Sequence, residues 1–127
     1  MKYSVEQIKG KKISQLIEEG ILPSTMQELN KIENSEYISI IEATDAYANN
    51  IDRLTSTPLK GSEKQVEWAT KIRVKAAQQV ALNMTRNLHI VKMGVSDMDY
   101  NKYARTTIAE FVDDRAAYYI DNRFNLV

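Results

Sequence analysis

Gly61-Ser62-Glu63-Lys64-Gln65-Val66-Glu67-Trp68-Ala69-Thr70-Lys71-Ile72-Arg73 is the stretch whose reading decides the fold. Ser62 and Gln65 have the spacing of a capping box. The Ser62 hydroxyl can accept from the amide of Gln65, and the Gln65 side chain can return to the amide of Ser62. Glu63 adds negative charge to the first turn, where the helix dipole favours it. No comparable stop signal follows until Gly94, with Lys92 in the turn before it. The spacing predicts one long helix over 62–93. At about 100° per residue, Val66, Ala69, Ala76, Ala77, Val80, Met84, Leu88 and Val91 share one face. The small residues among them let a neighbouring helix approach closely.

Two side chains depart from that pattern. Arg73 falls inside the apolar stripe. A buried arginine is costly unless it is paired, so Arg73 reads as a structural cation matched by a carboxylate of another helix, or as a recognition residue at a pocket. Trp68 lies nearly opposite the stripe, among Lys64, Lys71, Lys75 and Arg86. It reads as a second packing surface covered by the N-terminal helices, or as an exposed aromatic anchor for a partner. Lys64, Trp68, Lys71, Lys75 and Arg86 are the candidate partner- or nucleic-acid-binding residues.

The helix sits in a chain of 127 residues, 43% hydrophobic, enough for one domain with a real core. Two prolines and four glycines favour helix over sheet. No apolar run approaches the length of a membrane span. The N-terminal residues carry no apolar signal-peptide core, so the protein is expected to remain where it is made. The absence of cysteine removes disulfides, thiol nucleophiles and thiolate metal sites. Net charge is zero, but residues 58–95 hold seven basic and two acidic groups, whereas residues 24–57 hold two basic and six acidic ones. The long helix is thus a basic element flanked by acidic ones. Those segments pack on one another, or the basic face stays open to an anionic partner.

Towards the N-terminus, Ser4-Val5-Glu6-Gln7 opens either one helix bent near Gly10 or two short ones. Ile21-Leu22-Pro23 is an extended connector. Ser24-Thr25-Met26-Gln27 starts a short helix to about Ile32. Asn34 or Ser35 caps a further helix running to about Leu54, with Tyr37, Ile38, Ile41, Tyr47, Ala48, Ile51 and Leu54 at helical steps. Ser56-Thr57-Pro58-Leu59-Lys60 is the clearest loop. On the far side of the long helix, Ser96 caps a last helix over 97–122, with Asp97 and Asp99 in its first turn. Arg115 falls on the apolar face of that helix. Asp113, Asp114 and Asp121 are the nearest acids to neutralise such arginines, and an ion pair between Arg73 and an aspartate such as Asp121 is expected.

The expected architecture is an all-α single domain, residues 1–127, with four to five helices. N-terminal helices (1–55) cover one side of a pair (61–127) in which the long helix packs antiparallel to the last one.

Little in the chain points to chemistry. There is no glycine-rich phosphate loop and no nucleophile elbow. The single histidine, His89, reads as a boundary residue near the end of a long helix rather than a base. One histidine with scattered carboxylates gives no metal site, and no cofactor is expected. Nucleic-acid binding has a better footing: lysines could contact phosphates while Trp68 stacks on an unpaired base. The zero net charge weighs against it. A helix-turn-helix over 4–29 has a poor recognition helix, whose single cation is Lys31.

The stretch from Leu59 to Arg73 resembles a motif of the form Gly-Ser/Thr-Glu-Lys-Gln-x-x-Trp-Ala-x-x-Ile-Arg, found in small uncharacterised proteins of phages, plasmids and integrative elements of Gram-positive bacteria. Those proteins often end in Trp-Ile-Asp-x-Arg. The matching stretch here is Ala116-Ala117-Tyr118-Tyr119-Ile120-Asp121-Asn122-Arg123, with Tyr119 in place of the tryptophan. The resemblance covers residues 59–73 and 116–123. It implies a cytoplasmic accessory protein of a mobile element, non-enzymatic, that binds a host protein or nucleoprotein complex as defence inhibitors such as anti-CRISPR proteins do. The alternatives are a small nucleic-acid-binding regulator using the basic face and a structural phage protein that homo-oligomerises through its tyrosines. The motif residues also have an ordinary explanation in capping, packing and an ion pair.

Overall fold

Residues 63–92 form a single 30-residue helix, α6 (Glu63–Lys92), about 45 Å long. Its start is the expected capping box: the Ser62 hydroxyl accepts from the Gln65 amide at 3.2 Å, and Gln65 Oε1 accepts from the Ser62 amide at 3.1 Å. The chain leaves it through Gly94, whose φ of 78° suits a residue without Cβ. The computed structural model describes residues 2–111 and 113–124, and among them every regular element is a helix. Among the described residues no helix is long and apolar enough to cross a membrane.

The buried face of α6 turns along its length. In the first half Ala69, Arg73, Ala76 and Ala77 are buried. In the second half Ala81, Thr85 and His89 are buried beside Met84. The row Ala81-Thr85-His89 lies roughly 135° round the helix from the first set. Three apolar clusters along α6 account for this. Ala69 packs with Ala116 and Tyr119. Ala77, Ala81 and Met84 pack with Tyr47, Leu54 and Ala104. Leu82 and Leu88 pack against Ile8, Ile13, Leu16, Leu22, Tyr37, Ile40 and Ile41.

The third cluster comes from α1 (Val5–Ile8), α2 (Ile13–Glu18), the Ile21-Leu22 connector and α4 (Asn34–Ala43), with α3 (Met26–Lys31) between. Gly10 separates α1 from α2 at φ 79°. The helix expected to run to Leu54 is broken at Thr44 into α4 and α5 (Asp45–Leu54). The buried Thr44 hydroxyl donates to the Ile41 carbonyl (2.6 Å) and accepts from the Tyr47 amide (3.2 Å). One residue thus ends α4 and caps α5. Apolar periodicity on both sides hides the break.

The last helix is likewise divided, into α7 (Tyr100–Ala109) and α8 (Ala116–Asp121). Its cap is Asp99, not Ser96: the Asp99 carboxylate accepts from the Lys102 amide at 3.1 Å, while Ser96 accepts from Met98 in the preceding loop. The break lies at Asp113, whose carboxylate accepts from the backbone, Nε and Nη2 of Arg115 at 2.9, 3.0 and 2.7 Å. Such local side-chain bonding competes with helix. α7 runs antiparallel to α6, with Asn87 donating to the Tyr103 hydroxyl at 3.0 Å. α8 then doubles back alongside the first half of α6. The Lys60 amide donates to the Asp114 carbonyl (2.7 Å), and the Ala116 amide donates to the Lys60 carbonyl (2.9 Å).

Candidate functional site

The two stretches that carry the motif resemblance are brought together. Gly61 lies just ahead of the cap of α6, where Ala116 starts α8. A Cβ on Gly61 would stand 3.1 Å from the Ala116 Cβ and 3.1 Å from Gln65 Oε1, and its φ is 153°. Gly61→Ala is therefore expected to lower stability by about 1–3 kcal/mol, through backbone strain and crowding. A thermal melt unchanged from wild type would contradict the close approach.

Further along, Arg73 is 7% exposed. Its expected partner is wrong: no carboxylate pairs with it among the described residues. It donates from Nη1 to the Thr57 carbonyl, and its guanidinium lies over the Tyr119 ring at 5.8 Å. The Tyr119 hydroxyl donates to the Phe111 carbonyl at 3.2 Å, and burial raises its pKa against the opposing charge of Arg73. Asp121 follows Tyr119 by two positions, about 200° round α8, so it is exposed and makes no ion pair among the described residues. Arg115 is exposed too. It pairs with Asp113 (2.7 Å) and lies over the Tyr118 ring.

His89 is no boundary residue. It is fully buried, with Nδ1 2.7 Å from the Tyr37 hydroxyl and Nε2 2.8 Å from the Pro23 carbonyl. A carbonyl only accepts, so Nε2 carries the proton and Tyr37 donates to Nδ1. Burial lowers the pKa of His89, partly opposed by the Pro23 carbonyl. Among the described residues no group of three or more His, Cys, Asp or Glu is placed to hold a metal.

Trp68 is the large apolar residue of the motif that lies outside the core. It is 49% exposed, and the N-terminal helices do not cover it. Instead the guanidinium of Arg123, just beyond α8, lies over its ring at 5.2 Å and over the Phe124 ring at 4.7 Å. Phe124 is 86% exposed. Lys64, Lys71 and Lys75 are exposed on the same side of α6. Arg86, also on that side, is half-buried with its guanidinium over Tyr37 at 5.8 Å, and so belongs to the α4 packing rather than to the open stripe.

An open groove of about 780 Å³ continues from the Arg123–Phe124 end along this face. Its floor is apolar, built from Ile38, Ile72, Ala76 and Leu82, with Tyr47 at its side. Lys75, Gln79 and Arg123 line it, and Glu42 is its one acid. Arg123, Phe124 and the α4 contribution escape sequence reading because the C-terminal segment must double back to reach Trp68. The one available signal is the Arg ending the second motif. No protein-family model, curated protein or solved structure gives a significant match to this chain.

Proposed function

We propose that this chain is a non-enzymatic accessory protein of a phage or mobile genetic element, acting in the bacterial cytoplasm. It binds a host protein or nucleoprotein, as inhibitors of host defence of the anti-CRISPR kind do. One observation carries the reading: the Trp68–Arg123–Phe124 stack stands in solvent at the head of an apolar groove. Half-exposed tryptophan and arginine side by side are the residue types that dominate binding energy at protein interfaces. The only histidine is held by two hydrogen bonds in the core, which leaves it no access to a substrate. The element of origin and the class of target rest on the motif resemblance.

The second reading, a nucleic-acid-binding regulator, draws on the exposed lysines 64, 71 and 75. The homo-oligomer reading has less support, since each of the seven tyrosines is buried or half-buried.

The test is expression in a Gram-positive host carrying an active defence system, scored by phage plaquing. Wild type is expected to restore plaquing, and Trp68→Ala or Lys71→Glu with Lys75→Glu to lose that effect while retaining the wild-type melting temperature. Full activity of the folded double variant would make the lysines solvated surface. Full activity of Trp68→Ala would refute the assignment of the site.

A further inference from the structure

The geometry points to an acidic amphipathic α-helix of a partner protein as the occupant of the groove over α6. This inference rests on the reading of the Trp68 face as the binding site, and it names what that site takes.

Three observations carry it. The first is length. The groove runs along α6 from Ile72 to Leu82, about 15 Å, and Trp68 stands about one turn beyond it. The face from Trp68 to Leu82 is therefore about 21 Å, the length of a helix of about 14 residues. The second is chemistry. The floor of Ile38, Ile72, Ala76 and Leu82 accepts apolar side chains, in the way that a helix lays residues i, i+3 or i+4, and i+7 into a hydrophobic groove. Phe124 and Trp68 close one end as exposed aromatic anchors. The third is charge. Lys71, Lys75 and Arg123 make no ion pair among the described residues, whose ion pairs are Lys11–Glu19, Lys60–Asp114 and Arg115–Asp113. Lys75 and Arg123 in the lining, with Lys71 beside it, outnumber Glu42, the acid that lines the groove, and call for carboxylates on the flanks of the bound helix.

A nucleic-acid strand fits the same place less well. Base stacking needs a free ring face, and the Arg123 guanidinium already covers one face of Trp68. An apolar floor offers nothing to a phosphate backbone, and Glu63 and Glu67 stand among the lysines on a chain of zero net charge.

Selection of a random 14-residue peptide-display library on the intact chain tests this. The expected winners are acidic, with apolar residues at i, i+3 or i+4, and i+7. A synthetic winner should shift Trp68 emission on binding. Trp68→Ala should weaken its binding about 30-fold, read by anisotropy of a labelled peptide, as for a hot-spot residue. Gln79→Trp, which fills the groove at an exposed position and leaves the lysine charges in place, should weaken it comparably. Lys71→Glu with Lys75→Glu should turn the selection towards basic peptides. No enrichment above a mock selection, winners without the acidic pattern, or indifference to Gln79→Trp would each overturn the proposal. If a single-stranded oligonucleotide quenches Trp68 and loses binding with the two glutamates, while no peptide is enriched, the helical occupant is wrong and the Trp68 face still binds. If the peptides that are enriched and the oligonucleotide both ignore Trp68→Ala, the site itself is wrong.

Discussion

His89→Ala should cost about 3–5 kcal/mol of folding stability, the largest loss expected from any single polar residue in the chain. The substitution opens a cavity at a fully buried position and leaves both the Tyr37 hydroxyl and the Pro23 carbonyl without a partner. Those two groups belong to α4 and to the connector before α3, so the imidazole ties the N-terminal helices to α6. Burial pushes the Tyr37 hydroxyl up to about 12, and it stays a neutral donor across the ordinary pH range. The imidazole also sets a pH dependence. Its pKa is lowered from 6.5 in the folded chain by burial. Below pH 6.5 the unfolded chain takes up a proton that the folded chain refuses. This part of the stability is therefore complete above pH 6.5, declines as pH falls below it, and levels off once the folded imidazole protonates. Urea unfolding at pH 8, 6 and 5 should show the decline in wild type and a shallower one in His89→Gln. Equal slopes for the two proteins would contradict the neutral core imidazole.

Arg73→Ala should destabilise by about 2–4 kcal/mol. The stem of Arg73 is packed, the Thr57 carbonyl loses its donor, and the contact with the Tyr119 ring is lost. An ion pair between buried Arg73 and Asp121 would lose comparably when either partner is removed, so Asp121→Ala separates the two accounts. Asp121→Ala should change stability by no more than about 0.5 kcal/mol. Arg73→Lys keeps the charge but not the planar head, and should recover only part of the loss. Calorimetry of the three variants checks all of this. Equal losses for Arg73→Ala and Asp121→Ala would restore the ion pair.

The contrast between Arg73 and Ser62 marks what the sequence could reveal. Ser62 and Gln65 act on each other across one helical turn, so spacing alone exposed the cap, and with it the start of α6 and the all-α architecture. Arg73 reads from spacing as a cation in an apolar stripe, and it is buried there. Its partner depends on which face of α8 meets α6, and the break before α8 sets that. Asp113 and Thr44 each make a break through the hydrogen bonds of one side chain inside otherwise regular periodicity, which a pattern of apolar residues does not register. The row Ala81-Thr85-His89 went unread for a related reason. Threonine and histidine look polar in a list of residues, and are buried here because hydrogen-bond partners come from distant parts of the chain: Asn50 for Thr85, Tyr37 and Pro23 for His89. The candidate site was half legible. Trp68, Lys71 and Lys75 lie on one helix and could be grouped by angle, whereas Arg123, Phe124 and Ile38 reach them through tertiary structure alone.

The proposed binding face stands or falls with the surroundings of Trp68, the only tryptophan, so its fluorescence reports on that face without ambiguity. Acrylamide quenching of the intact chain is the most direct measurement. Red-shifted emission, readily quenched and more so in Arg123→Ala, is the predicted result. Blue-shifted emission protected from acrylamide would put Trp68 in the core and remove the site.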